Sequence, residues 1–256
     1  MEADNSMLAR KVDVVFCLDT SDSMKPCIDA VRDNINRLVR QLRQANFEWR
    51  LDYVAHNVVG RNGSAMVYSN DSLRGDTLGM LYHNARSDFF TEDEEEFKRG
   101  LSRLVCEGDE NMLCALDTAM DFPFGPANET QRVIVLVSDE PFETNEPAGL
   151  ARARAKLPDI KKKLMDRHIT LLAVMPVRDG GIAESLAEVD RTEITPVEEG
   201  DLGMRKVNMV DLFGQLGRTI STFTAQSNGE EPYKRALFNQ DGWGRSSGFD
   251  RIGDKK

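Results

Sequence analysis

The sequence predicts an α/β protein: a mostly parallel central sheet with helices on both faces. Three observations carry that expectation. The stretches Val12 to Leu18, Arg132 to Ser138 and Ile169 to Val174 are near-continuous apolar runs of strand length, the pattern of strands buried on both faces. Between them lie segments whose apolar residues recur at helical spacing, such as Ile28, Val31, Ile35, Leu38, Val39 and Leu42. Strands alternating with helices in this way imply crossover connections over a layered sheet.

Taken in order, the first strand is followed by Pro26, which suits the opening turn of a helix reaching residue 44. Glu48 to His56 alternates in part, and Ala65 to Ser69 is a second short candidate strand. Gly60-Arg61-Asn62-Gly63 supplies turn residues between them, so the pair reads as a hairpin. Thr91 with Glu94 has the spacing of a capping box, ahead of Phe97, Leu101 and Leu104 on one helical face. The acidic run Glu92 to Glu96 fits a helix first turn, where carboxylates complement the dipole, and lacks EF-hand spacing. A helix over 111–120 precedes the second apolar strand. Pro147 opens a further helix, which Pro158 is expected to break or bend before it ends near Arg167. Glu193 to Val197 reads as an edge strand, and Leu212, Phe213, Leu216, Ile220 and Phe223 pattern a last helix.

Composition narrows the function. A formal charge of −10 argues against a protein that holds nucleic acid through its phosphates. Arg32, Arg37, Arg40 and Arg43 cluster locally and read as the solvated side of the first helix. The four cysteines, Cys17, Cys27, Cys106 and Cys114, have no C-x-x-C spacing, so neither a zinc site nor a structural disulfide is expected. No apolar stretch follows Met1 in the manner of a signal peptide and no run approaches the ~18 residues needed to span a bilayer, so a cytoplasmic protein that engages no membrane is expected. His56, His83 and His168 are expected to be structural or lie in uncertain stretches. Residues 1–226 read as one domain. Residues 227–256, rich in glycine and charge, should form no core of their own; they read as a mobile terminus or one that lies against its own domain, the alternative being a segment that docks a partner through Phe238 and Trp243.

The chemistry concentrates where the apolar strands end. Val12 to Leu18 empties into Asp19-Thr20-Ser21-Asp22-Ser23, and Arg132 to Ser138 runs into Asp139-Glu140-Pro141. Small oxygen-bearing side chains at the end of a buried strand make a cup for a hard cation. Asp19, Ser21 and Ser23 match a D-x-S-x-S element, and with Asp139 in second place the chain resembles the von Willebrand factor A domain. The resemblance implies a Rossmann-like fold whose hairpin forms one antiparallel edge strand. It also implies a metal ion-dependent adhesion site for Mg²⁺, or Mn²⁺ or Ca²⁺ in its place. In that site Ser21 and Ser23 would ligate directly, while Asp19 and Asp139 would hold coordinated waters or a ligand position. The family's third loop commonly carries threonine, whereas the corresponding stretch here is Gly108-Asp109-Glu110-Asn111, so Asp109 or Glu110 becomes a candidate ligand, or else both cap the following helix. Asp22, usually a small residue in relatives, is expected to point to solvent.

What the resemblance implies is a non-catalytic module that binds a protein partner, an acidic side chain of the partner completing the metal site. The chain looks most like the bacterial intracellular branch, TerY-like and MoxR-associated members, which implies an adaptor beside an AAA+ ATPase, kinase or phosphatase in stress or conflict systems. The competing reading is a Mg²⁺-dependent phosphatase of haloacid dehalogenase type with Asp19 as nucleophile. Those enzymes use D-x-D, and the second position here is Ser21, a poor proton donor beside a tuned carboxyl. No phosphate-binding glycine loop and no G-x-S-x-G elbow is present.

Overall fold

The computed structural model describes residues 10–57, 66–69, 89–104, 106, 112–142, 147–178, 181–200, 204 and 206–227. Six strands form one sheet: β1 (Arg10–Asp19), β2 (Phe47–Asn57), β3 (Met66–Ser69), β4 (Thr130–Val137), β5 (Ile169–Met175) and β6 (Thr192–Pro196). Their spatial order is β3-β2-β1-β4-β5-β6. β1, β2, β4, β5 and β6 are parallel, and β3 pairs antiparallel to β2, with Val54 opposite Ser69 and Asn57 opposite Met66. The turn at Gly60 to Gly63 lies outside the described residues.

The six helices among the described residues are α1 (Lys25–Gln44), α2 (Glu94–Leu101), α3 (Met112–Met120), α4 (Pro147–Asp166), α5 (Ile182–Ala187) and α6 (Met209–Ser227). They cover the sheet on both sides, and β1 explains why it must be sandwiched. Val12, Val14, Phe16 and Leu18 enter a core shared with α1, α2 and α6, while Val15 and Cys17 enter a second core shared with α3, α4 and α5. All six are fully buried, and each large side chain so placed contributes about 1.5–3 kcal/mol over exposure. Phe16 is clasped between Phe97 of α2 and Phe213 of α6, at ring centroid distances of 5.5 and 5.9 Å. α1 and α6 cross closely because position 217 is glycine: a Cβ there would lie 2.1 Å from Gln41 Oε1.

Two local expectations give way to tertiary structure. α2 is capped by Asp93, whose carboxylate accepts from the backbone N–H groups of Glu95 and Glu96, not by Thr91 with Glu94. Thr91 is committed elsewhere: its backbone pairs with Leu51 at 2.9 Å in both directions and its hydroxyl donates to Glu96. α4 runs unbroken through Pro158. Proline costs one N–H bond there, but buried Leu157, Ile160 and Leu164 hold both halves of the helix on the same core, and tertiary packing outweighs the lost bond.

Candidate functional site

The chain winds from β1 outward to β2 and β3, then returns to the other side of β1 for β4, β5 and β6. The carboxyl ends of β1 and β4 therefore flank the point where the winding reverses, the place where open α/β sheets leave a crevice for ligands. Asp19 closes β1, and Asp139 follows β4 by two residues. The register, with Leu18 opposite Val137, brings the two strand ends level.

Between β1 and α1 the chain makes one short 3-10 turn, Asp22–Met24, entered through Ser21 in extended conformation (φ −62°, ψ 161°). Ser21 occupies the capping position of that turn, yet its hydroxyl makes no capping bond. It faces Ser23 Oγ at 3.1 Å and donates to Asp139 Oδ1 at 3.5 Å. The Ser21 backbone N–H instead donates to Asp19 Oδ1 at 2.7 Å, folding the loop back over the strand end. Asp19, Ser21, Ser23 and Asp139 are thus brought into one cluster from stretches more than a hundred residues apart. Asp22 is exposed on the same turn. Asp109 and Glu110, and likewise Phe238 and Trp243, lie outside the described residues.

One participant escaped the sequence reading. Ser138 is fully buried, and its hydroxyl donates to Asp19 Oδ2 at 2.8 Å while accepting from the Glu140 N–H at 3.0 Å. The signal was the strand register, which sets position 138 beside position 19. Ser138 holds Asp19 in orientation without itself facing Asp139.

The electrostatics are unusual for an interior. Asp19 and Asp139 are both fully buried, and among the described residues neither makes an ion pair with a Lys or Arg. Burial pushes the Asp19 carboxyl up to about 6; hydrogen bonds from Ser21 and Ser138 pull it down in part, and the neighbouring Asp139 charge raises it again. Asp139 Oδ2 accepts no hydrogen bond among the described residues. The field extends outward. Glu140 is pushed up by its own burial and then by Asp139, Glu199 and Asp19. The Cys27 thiol in the first turn of α1 is pushed up by burial and then by Asp139 and Asp19.

This donor set fits a hard divalent cation. It is all oxygen, it carries uncompensated negative charge, and it contains a buried carboxylate oxygen with nothing to accept from. Among the described residues no group of three or more His, Cys, Asp or Glu side chains has metal-binding placement. The cluster relies on hydroxyls for the remaining contacts.

No protein-family model matches this sequence, and no curated protein matches it. Among solved structures, the fold is similar to a von Willebrand factor type A protein from Catenulispora acidiphila, with TM-score 0.51 and 16% identity over 83% of this chain and 43% of that one. It is also similar to the pilus adhesin SpaC from Lactobacillus rhamnosus GG in its open conformation, with TM-score 0.50 and 12% identity over 84% of this chain and 30% of that one. The chain thus spans less than half the length of either solved chain. Its α/β architecture is that of the von Willebrand factor type A fold.

Proposed function

We propose that this protein is a divalent-cation-dependent protein-interaction module, with the cation held between Ser21, Ser23, Asp19 and Asp139 at the carboxyl end of the sheet. The observation that carries this reading is Asp139 Oδ2, a fully buried carboxylate oxygen without a donor, placed beside a second buried carboxylate and two hydroxyls. Burying two acids together without a counter-charge is unfavourable by several kcal/mol, roughly, unless a cation joins them. A bound Mg²⁺-type ion would supply an electrophilic position that a carboxylate of the partner fills. The chain's own residues do the rest. Ser138 and the Ser21 N–H fix the Asp19 carboxylate, and the 3-10 turn presents both serine hydroxyls on one side. Neutral hydroxyls as ligands leave much of the ion's charge available to the partner.

The general fold supports an interaction role, and the D-x-S-x-S loop supports the adhesion-site type within it. We extend the proposal to a cytoplasmic, non-enzymatic adaptor of the TerY-like kind, acting beside an AAA+ ATPase, kinase or phosphatase. The phosphatase alternative is disfavoured by Ser21: it stands in the general-acid position of D-x-D and is engaged with Ser23 and Asp139.

Calorimetric titration of the metal-free protein with MgCl₂ and MnCl₂ tests the site. Saturable binding that weakens about tenfold to a hundredfold in Ser21→Ala/Ser23→Ala is expected, and undiminished affinity in that variant overturns the reading. A pull-down from host lysate with and without chelator then tests the partner. Hydrolysis of a phosphomonoester by wild type but not by Asp19→Asn would establish the phosphatase instead.

A further inference from the structure

A second surface, independent of the cation site, lies between α1 and α2. The two helices and the turn after α2 flank an open groove of about 650 Å³ lined by Arg32, Asp33, Glu95, Lys98, Arg99 and Arg103. In a chain of formal charge −10, this lining carries four cations against two acids.

The arrangement matters more than the count. The side chains of Lys98 and Arg32 are 24% and 29% exposed; Lys98 pairs with Glu95, 68% exposed, and Arg32 with both Asp33 and Asp29, 62% and 36% exposed. Lys98 and Arg32 therefore form the floor, while Glu95 and Asp33 stand at the rim together with the exposed Arg99 and Arg103. Such exposed pairs are worth at most about 1 kcal/mol each, so another carboxylate can replace a rim acid at little cost. Arg99 is held only loosely by Asp93 at 3.9 Å, and Arg103 makes no ion pair among the described residues.

We propose that this groove receives an acidic segment of a partner protein in extended conformation. Arg99 lies in the last turn of α2, and Arg103 in the turn that follows its end at Leu101, where its backbone N–H donates to the Gly100 carbonyl. Alternate residues of an extended chain share one face, so two acids spaced in that way can meet the two arginines. Lys98 and Arg32 offer two further cations on the floor of the groove, and the Ser102 hydroxyl, whose proton goes to the Lys98 carbonyl, keeps an acceptor lone pair for a backbone N–H of the segment. Positive charges strung along a length suit several carboxylates in sequence better than one phosphate, which needs convergent donors. Arg37 and Arg40, on the exposed side of α1 outside the groove, serve as internal controls for diffuse attraction.

The probe is a fluorescein-labelled peptide of alternating glutamate and serine, followed by anisotropy on the full chain in EDTA so that no cation site contributes. Saturable binding at about 50 mM salt is expected, weakening more than about tenfold at about 500 mM. Lys98→Glu/Arg103→Glu should reduce affinity about tenfold or more with an unchanged melting curve, and Lys98→Gln/Arg99→Gln/Arg103→Gln serves if charge reversal disturbs folding. Arg37→Glu/Arg40→Glu should lose less than about threefold. No saturable binding, equal loss in the control variant, or inorganic phosphate competing at concentrations at or below those of the peptide would each overturn the proposal. So would self-association abolished by the same groove variants, which would assign the surface to a second copy of the chain. Because the assay excludes metal, its failure is separate from failure of the cation site.

Discussion

Asp13 and Asp19 lie on the same strand, both almost wholly buried, at 1% and 0% exposure, yet they are treated in opposite ways. Asp13, at the amino end of β1, is gripped by Arg50 through a two-pronged contact of 2.8 and 2.7 Å and accepts the Gly125 N–H at 2.8 Å. Arg50 also stacks on Phe90, 4.8 Å from its centroid. Asp19, at the carboxyl end, receives only neutral donors and faces another acid. The first is a completed structural clamp joining β1, β2 and the segment before β4. The second is an unbalanced charge on the side of the sheet where ligands collect. Burial alone does not single out a candidate functional acid; burial without a compensating cation does.

The widest separation between the two ends should come from Arg50→Ala. It leaves Asp13 buried without its counter-charge and should cost about 3 kcal/mol in urea unfolding while leaving Mg²⁺ affinity unchanged. A stability loss under about 1 kcal/mol would mean that the clamp is ornamental. Next in size, Asp19→Asn should act in the opposite direction, raising metal-free stability at neutral pH by about 2 kcal/mol while abolishing Mg²⁺ binding.

The pH dependence carries the same contrast. The Asp19 carboxyl sits at about 6 in the folded protein against an ordinary 3.8, so the protonated form is favoured by folding. Its contribution is therefore fully present below about pH 4 and lost as pH rises through about 6, a fall of at most about 3 kcal/mol in the metal-free protein. In Asp19→Asn that decline should vanish; a decline of the same depth in the variant would assign it to other groups. Saturating Mg²⁺ should reverse the trend in wild type, because the cation binds the ionised form.

Smaller effects refine the site. Ser21→Ala/Ser23→Ala should weaken Mg²⁺ about tenfold to a hundredfold and change stability by less than about 1 kcal/mol, since neither hydroxyl caps a helix. Ser138→Ala should cost about 1 kcal/mol and weaken Mg²⁺ by less than the double serine variant, because Ser138 acts only through the orientation of Asp19.

Most of the sheet was legible from sequence because strands buried on both faces cannot disguise their apolar runs. The clustering of Asp19, Ser21, Ser23 and Asp139 was legible for a related reason: polar oxygens at the end of such a run have no structural excuse. What was not legible depended on alignment between distant strands. Ser138 looked like the last residue of a strand until Leu18 was seen to lie opposite Val137. Asp13 looked like an interruption in an apolar run, and only the neighbouring strand, with Arg50 opposite it, explains why it is tolerated. The Thr91 capping box failed because a bridge to Leu51 claimed its backbone. Pro158 was tolerated because a helix laid on a large core survives one missing bond.

The central place of β1 has a consequence for how the chain is made. Its first neighbour, β2, is complete by Asn57, but its second, β4, ends only at Val137. At about 5–20 residues per second, the ribosome needs roughly 4 to 16 seconds to deliver that closing partner. Throughout that interval a nascent chain holds its central strand with one side uncovered, an invitation to wrong pairing during translation. Newborn copies therefore need a chaperone before residue 137 emerges, and keep part of that need until α6 brings Phe213 onto Phe16.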